Sequence, residues 1–271
     1  MTDSPIPRWD DLTTLEAREA LDRDPVVVLP LAAIEQHGPH LPLSTDLTIG
    51  QGILEEAFST LPTDFPAWTL PFQAVGASSE HGDFPGTLSL KESTLGAAIR
   101  ELGSSLARHG GRRLLIWNAH GGNTHVVDGA ALDLRVSRRM LVAKASHFRF
   151  SRPPGVDLPE GEWKHGLHGG AVETSMMLHL APNRVRMDQL EPTEPTDPRP
   201  LARELEETLR RLGPESEASF AWTAGDLHPS GVAGDPELAS SQLGSRLVRH
   251  HGRVLGEILE DVRDFPLARL V

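Results

Sequence analysis

From residue 25 onward, short apolar segments rich in β-branched residues alternate with segments of helical periodicity, and this alternation restricts the possible folds. The apolar segments predict strands at Pro25–Leu31, Trp68–Val75, Arg113–Trp117 and Met140–His147. The periodic segments predict helices at Trp9–Leu21, Leu47–Phe58, Glu92–Ala107, Thr124–Val136, Gly170–Leu180, Leu201–Leu212 and Pro236–Arg263, with a long loop at Ser151–Leu167. Such alternation favours an α/β fold whose mostly parallel sheet is covered by helices on both faces.

Length and composition exclude several kinds of protein. The 271 residues suffice for one large domain, and we treat residues 1–271 as a single domain. The proline-rich, acidic segment Leu190–Pro200 is expected to be a surface connection, because motif-like residues lie on both sides of it. A net charge of −12 argues against a nucleic-acid partner, and the lack of cysteine excludes disulfides and thiolate metal sites.

No membrane or export signal is recognisable in the sequence. The longest apolar run, Val26 to Ile34, contains Pro30 and is far shorter than the roughly 20 residues that a membrane span needs. Residues 1–24 are polar. We therefore expect a cytoplasmic protein without a membrane partner.

The segment after the first strand, LPLAAIEQHGPHLPLSTD, holds several residues that bind metals. Residues two apart in an extended chain point to the same side, so Glu35 and His37 can face one point. Asp46 can return to that point from the start of the next helix. Carboxylates and imidazoles suit zinc, manganese or iron. The alternative is an exposed loop with solvated charges, and the residues themselves leave both interpretations open.

Further polar residues follow the later strands. His81 follows the second strand and is placed to line a pocket, and His120 follows the third within NAHGGN. Sites in parallel sheets lie beyond the carboxyl ends of the strands, so these histidines are expected near Glu35. Gly121 and Gly122 allow a ligand to approach the backbone closely. The same glycines also suit a plain turn, or a phosphate-binding turn, although no lysine follows them.

The segment HGGAVETS places His168 just before a predicted helix and Glu173 in its first turn. Both side chains can point toward the end of the sheet. An acid at this position is also favoured by the helix dipole alone, so Glu173 has a purely structural explanation too. Trp163, in the preceding loop, could stack on a flat substrate or anchor the loop.

Taken together, EQHGPHLPLSTD, SSEHGDFPGT, NAHGGN, HGGAVETS and GVAGDP resemble, in order, the motifs of the creatininase family of metal-dependent amidohydrolases. The resemblance implies a three-layer α/β/α fold, often assembled as a homohexamer, with two divalent metal ions per subunit. Its implied ligands are Glu35, His37, Asp46, His120 and Glu173, with Asp46 bridging the ions. Members that act on creatinine carry an extra glutamate ligand where this chain has glycines, so Glu173 is expected to complete the site.

The family resemblance also implies a reaction. We expect hydrolysis of a non-peptide C–N amide bond in a small substrate, by a water activated between two ions. His168 and Glu173 would be the catalytic pair, and His168 would give a proton to the leaving nitrogen. The substrate would lie against His81, Gly121, Gly122 and Trp163. The alternatives are a peptidase-like member acting on a small peptide, an inactive binding or scaffold protein, and a nucleotide-binding α/β protein.

Overall fold

The computed structural model describes residues 6–190 and 201–270. At its centre is a 4-stranded sheet in the order β2-β1-β3-β4, and every neighbouring pair is parallel. The strands are β1 Val26–Leu31, β2 Ala67–Thr69, β3 Arg113–Asn118 and β4 Leu141–Ser146. Every residue of β1 and β3 is buried, as expected for the inner strands of a parallel sheet with both faces covered.

The helices are α1 Thr14–Asp22, α2 Thr45–Thr60, α3 Glu92–Arg108, α4 Thr124–Arg138, α5 Glu160–His165, α6 Ala171–Leu180, α7 Leu201–Thr208, α8 Ala224–Leu227 and α9 Ser241–Asp264. Alternate residues of β1 point to opposite faces, so Val26 and Val28 enter one apolar cluster and Val27 and Leu29 the other. Helices α2, α6 and α9 cover the first face, and α3 and α4 cover the second. The predicted three-layer α/β/α arrangement is confirmed.

Two helix boundaries differ from the predictions for reasons of capping. The predicted helix Trp9–Leu21 is a short 3-10 turn, Trp9–Asp11, followed by α1, because a capping box between Thr13 and Glu16 starts the helix anew. The predicted helix Pro236–Arg263 is likewise a 3-10 turn and then α9, which begins after the side chain of Ser240 accepts a hydrogen bond from the Leu243 N–H.

The second strand and two loop segments also differ. The predicted strand Trp68–Val75 ends at Thr69 because Pro71 has no N–H to donate to the ladder. The predicted loop Ser151–Leu167 contains α5, whose acidic first turn and basic last turn complement the helix dipole. The predicted helix Leu201–Leu212 ends at Thr208, before the chain forms a bridge between residues 212 and 218.

Most of the predicted surface connection Leu190–Pro200 falls outside the described residues, which stop at 190 and resume at 201. Within the described ranges, no helix combines the length and the apolar character that a membrane crossing requires.

Candidate metal centre

A buried polar cluster lies at the carboxyl edge of the sheet. Glu35 and His37 follow β1, and His120 follows β3. Asp46 lies in the first turn of α2, and Glu173 in the first turn of α6. The side chains of the first four are almost completely buried, whereas that of Glu173 is 21% exposed and marks the mouth of the site. The structure therefore brings together all five residues that the resemblance implied as ligands.

The carboxylate of Asp46 lies between two imidazole rings. Its Oδ1 is 3.1 Å from Nε2 of His37, and its Oδ2 is 3.0 Å from Nδ1 of His120. The same Nδ1 of His120 is 3.3 Å from Oε1 of Glu35. Nε2 of His37 is 3.9 Å from Oε2 of Glu173. Asp46 thus faces one imidazole with each oxygen, which is the arrangement that a carboxylate bridging two ions needs.

Backbone carbonyl groups fix which nitrogen of each ring carries the proton. His37 donates from Nδ1 to the carbonyl oxygen of Glu35 at 3.1 Å, which leaves the lone pair of Nε2 facing Asp46. His120 donates from Nε2 to the carbonyl oxygen of Ala77 at 3.0 Å, which leaves the lone pair of Nδ1 facing the carboxylates. The unprotonated nitrogen of each ring therefore faces an anionic oxygen. A cation bound between such a nitrogen and oxygen would interact favourably with both atoms.

Two buried carboxylate oxygens in this cluster have no hydrogen-bond partner, Oε2 of Glu35 and Oδ2 of Asp46. Leaving a charged group unpaired in the interior is costly unless a counter-ion is bound. Ligand atoms of His37, Asp46 and Glu173 lie within 4.8 Å of one another, as do those of Glu35, His37 and His168. The donor set of carboxylates and imidazoles fits zinc, manganese or iron.

The charges of these groups are strongly linked. Burial opposes ionisation of Glu35, but His120 and His81 outweigh it and lower the pKa to about 2. Burial opposes protonation of His37, but Asp46 outweighs it and raises the pKa to about 9. The same opposition lowers the pKa of Asp46 and raises that of His120 well above its usual value. The carboxylates are therefore anionic, and the site favours positive charge at the two imidazole nitrogens.

His168 lies between the rings of His37 and His81, with centroid distances of 4.1 and 4.3 Å. It donates from Nε2 to the carbonyl oxygen of Gln36 at 2.6 Å, so Nδ1 carries the lone pair and lies 3.9 Å from Oε1 of Glu35. Burial lowers the pKa of His168, and His37 lowers it further. A neutral ring with one free nitrogen can accept a proton and pass it on.

His81, predicted to line a pocket, is buried within the cluster. Its Nε2 is 3.5 Å from Oε1 of Glu35, and its Nδ1 accepts a hydrogen bond from the side-chain amide of Gln36 at 2.8 Å. Burial lowers its pKa to about 3, and His168 contributes to the shift. The side chain of Gln36 also donates to the carbonyl oxygen of Gly231 at 3.1 Å, so it ties His81 to the GVAGDP segment.

The GVAGDP segment supports His168 through a short antiparallel bridge. The backbone of His168 exchanges hydrogen bonds of 3.0 and 2.8 Å with that of Ala233. Gly169, with φ of 64°, then turns the chain into α6 and donates its N–H to Oε2 of Glu173 at 2.6 Å. A residue with a side chain rarely adopts this conformation. The bridge and the glycine thus set His168 and Glu173 on the same side of the site.

Glu162 is a buried carboxylate that lies outside every motif of the sequence. It accepts hydrogen bonds from the N–H of Ala171 at 2.7 Å and the N–H of Asp235 at 2.9 Å. It therefore ties the first residue of α6 to the GVAGDP segment. Burial raises its pKa, and the two backbone N–H groups oppose this shift. No local sequence pattern marks this role, because the partners lie nine and 73 residues away.

The two asparagines of NAHGGN hold the backbone around His120. Asn118 donates to the carbonyl oxygen of His120 at 2.7 Å and so holds its backbone. Asn123 accepts from the N–H of Ala77 at 2.9 Å. The ring itself is held by the Ala77 carbonyl, so Asn123 acts on it only through that residue.

Three other residues predicted to contact the substrate occupy different surroundings. Gly121 and Gly122 form a 3-10 turn with Asn123, and Gly121 is exposed. Trp163 packs against the apolar cluster on the α2–α6–α9 face, and the guanidinium of Arg152 lies 5.1 Å from its ring centroid. These contacts agree with the anchoring alternative for Trp163.

Comparisons with known proteins identify the family of the chain. Residues 10–259 match the family described as Creatininase: Creatinine amidohydrolase. The chain is 33% identical over 247 residues to the mycofactocin precursor peptide peptidase of Mycobacterium ulcerans (strain Agy99), covering 89% of this chain and 87% of that one. It is also 33% identical over 186 residues to the creatinine amidohydrolase of Pseudomonas putida, covering 65% of this chain and 71% of that one.

Among solved structures, one titled Creatininase Mn superposes with a TM-score of 0.72 at 25% identity, covering 96% of this chain and 99% of that chain. The fold and these matches define one class of protein, the α/β/α amidohydrolases. The chain belongs to the creatininase family. The family resemblance of the motifs is therefore confirmed.

Proposed function

We propose that this protein hydrolyses a C–N amide bond with the help of two divalent metal ions. The observation that carries the proposal is the position of Asp46, whose two oxygens face free nitrogens of His37 and His120. Glu35 would join His120 at one ion, and Glu173 would join His37 at the other. Zinc, manganese and iron all suit this donor set.

The bound ions would supply Lewis-acid polarisation of the substrate carbonyl and a lowered pKa for an attacking water. The protein's own contribution to proton transfer is His168. Because its Nε2–H is held by the Gln36 carbonyl, its ring keeps Nδ1 directed at the cluster. His168 takes up at Nδ1 the proton that the attacking water loses and delivers it to the leaving nitrogen when the C–N bond breaks.

Glu173 is the more exposed ligand and therefore lies nearest to an entering substrate. Its Oε2 is held by the Gly169 N–H, which directs the carboxylate toward His37. Gly121 leaves open space at the mouth, since a Cβ added there would meet no atom within 4 Å. We propose that this space accepts the amide group of a small substrate.

A short peptide is a second candidate substrate. It is favoured by relatives named mycofactocin precursor peptide peptidase, which match over 85–87% of their own length at 32–33% identity. By analogy with those relatives, this chain would cleave an amide bond within or at the end of a peptide. The family resemblance also supports assembly as a homohexamer, which sedimentation would test. A cytoplasmic location stays an expectation, and cell fractionation would test it.

The experiment that tests the proposed function combines metal analysis with a substrate panel. Purified protein is assayed for bound zinc, manganese and iron, then for hydrolysis of formamides, cyclic amides, creatinine and short peptides. We expect about two ions per chain and an activity that a chelator removes and added metal restores. Protein that binds no metal, or hydrolyses none of these amides in its metal-loaded form, would overturn the proposal. The substrate that is cleaved decides between the small-amide and peptide alternatives.

A further inference from the structure

Glu80 is an acidic residue beside the cluster that belongs neither to the five implied ligands nor to the proposed reaction. It lies in the 3-10 turn Ser79–His81 of the SSEHGDFPGT segment. Its Oε1 is 3.5 Å from Nε2 of His120, and its side chain is 22% exposed. Ligand atoms of Glu35, Glu80 and His120 lie within 4.8 Å of one another. Glu80 therefore reaches the cluster from the solvent side.

Gly122 makes this approach possible. A Cβ added at Gly122 would overlap Oε1 of Glu80 and would lie 2.5 Å from Nε2 of His120. Gly122 is not among the glycines with positive φ, so its backbone conformation does not explain the lack of a side chain. The missing side chain instead leaves the space that the carboxylate of Glu80 occupies.

The contact is not needed to hold His120. Nε2 of His120 already donates to the carbonyl oxygen of Ala77 at 3.0 Å, and the hydroxyl of Ser78 lies 3.3 Å away. Glu80, at 3.5 Å, forms no hydrogen bond with this nitrogen by distance and angle, although the two groups are close enough to form an ion pair. Because Nε2 of His120 already donates to Ala77, the carboxylate of Glu80 remains available to another partner.

Glu35 and His120 offer ligand atoms within 4.8 Å of that of Glu80. Glu35 is 1% exposed, and its Oε2 has no hydrogen-bond partner. We infer that Glu80 is a further metal ligand, which joins Glu35 and His120 around one of the two ions. This inference rests on the proposed function, and it adds a ligand from a loop that the other ligands do not use. Because the carboxylate of Glu80 is partly exposed, it also offers a path by which this ion could be loaded from solvent.

The test measures metal affinity in the full-length protein, with Glu80→Gln as the main variant. Glutamine keeps the size and an acceptor oxygen but loses the charge. Each protein is stripped with chelator and titrated with Mn²⁺, and free Mn²⁺ is followed by electron paramagnetic resonance. We expect wild type to bind about two ions and Glu80→Gln to bind one of them at least about 10-fold more weakly. The coupled spectrum of neighbouring Mn²⁺ ions should weaken accordingly.

A matched control is Glu92→Gln, because Glu92 pairs with an exposed imidazole, that of His125, at 3.0 Å. This variant should bind both ions as wild type does. Unchanged affinity in both Glu80→Gln and Glu80→Ala would overturn the inference while leaving the two-ion site intact. Failure of the wild type to bind Mn²⁺, zinc or iron would instead overturn the proposed function. Thermal unfolding of each variant checks that a change in affinity is not a loss of fold.

Discussion

Two carboxylates of this protein are equally buried, at 1% exposure each, yet their surroundings differ completely. Glu162 accepts backbone hydrogen bonds at both oxygens, from Ala171 and Asp235. Glu35 faces three imidazoles with one oxygen, and its other oxygen has no hydrogen-bond partner. Both oxygens of Glu162 are thus satisfied by the protein itself, whereas the surroundings of Glu35 leave an oxygen available to a bound cation.

The difference teaches how to separate structural from functional charges in an interior. Fixed N–H groups stabilise a buried anion at no further cost, because they are part of the backbone. An imidazole that donates its one N–H to a carbonyl group cannot also stabilise a buried anion. It does so only when it takes up a second proton or when a cation binds between the two groups. A buried carboxylate with an unpaired oxygen among such rings therefore indicates a site.

The strongest way to break this comparison is to remove Asp46. Asp46→Ala should lose both ions, because one oxygen of Asp46 faces His37 and the other faces His120. We expect kcat/KM to fall more than about 10³-fold. Metal analysis and kinetics measure both effects. Asp128→Ala, which removes an exposed carboxylate paired with Lys144, should leave metal content and activity unchanged. Full metal content in Asp46→Ala would rule out a bridging role.

Glu162 should show the opposite behaviour. Glu162→Ala leaves two buried N–H groups without an acceptor and should lower the free energy of unfolding by about 3 kcal/mol. Urea denaturation measures this loss, while the folded fraction should still bind metal. Glu160→Ala, on the same helix but exposed and paired with Arg152, should change stability little. Loss of metal without loss of stability in Glu162→Ala would show that the two carboxylates do not differ as described.

Replacing His168 tests a group that serves the reaction and not the metal. His168→Gln should retain both ions and lower kcat about 100-fold, which is the usual size of a general acid–base contribution. Because His168 must be neutral to take up the proton, the acidic limb of the pH–rate profile that belongs to this ring should disappear. His125→Gln, at an exposed histidine, serves as the control. An unchanged pH profile in His168→Gln would contradict its role in proton transfer.

The smallest expected effect concerns His251, a buried histidine outside the metal centre. Burial lowers the pKa of His251 to about 3, and His147 adds to the shift. The folded state therefore binds fewer protons than the unfolded state between pH 6.5 and pH 3, so stability falls as the pH falls through this window. His251→Leu should reduce the loss of unfolding free energy between pH 7 and pH 5.5 by about 1 kcal/mol.

That prediction is measured by urea denaturation with chelator present, so that metal release does not add a pH dependence. The same substitution at exposed His109 should leave the pH dependence as it is in wild type. Equal pH dependence in His251→Leu and wild type would show that His251 is not held neutral by its surroundings.

Much of the fold could be predicted from the sequence because strongly patterned elements report their own structure. The strands β1 and β3 and the helices α3 and α4 follow from apolar periodicity. The restart of the first helix was also readable, since threonine at 13 and glutamate at 16 form the capping-box pattern. The rule that sites lie beyond the carboxyl ends of parallel strands predicts that Glu35, His37 and His120 lie close together.

The rest depends on contacts between distant segments, which periodicity does not encode. Glu80 and Glu162 resemble ordinary surface acids in sequence, and their surroundings arise only when loops fold against NAHGGN and GVAGDP. The Ala77 carbonyl that holds the ring of His120 could not be predicted either, because every residue has a carbonyl group and only the folded chain selects one as a partner.

The rings of His37, His120 and His168 are each held by a main-chain oxygen, those of Glu35, Ala77 and Gln36. No single substitution deletes a main-chain oxygen. The side chains around the mouth of the site can therefore change identity while the three rings keep their direction. Such a protein can acquire a new substrate by changing side chains at the mouth of the site. The orientation of the three imidazole rings then stays the same.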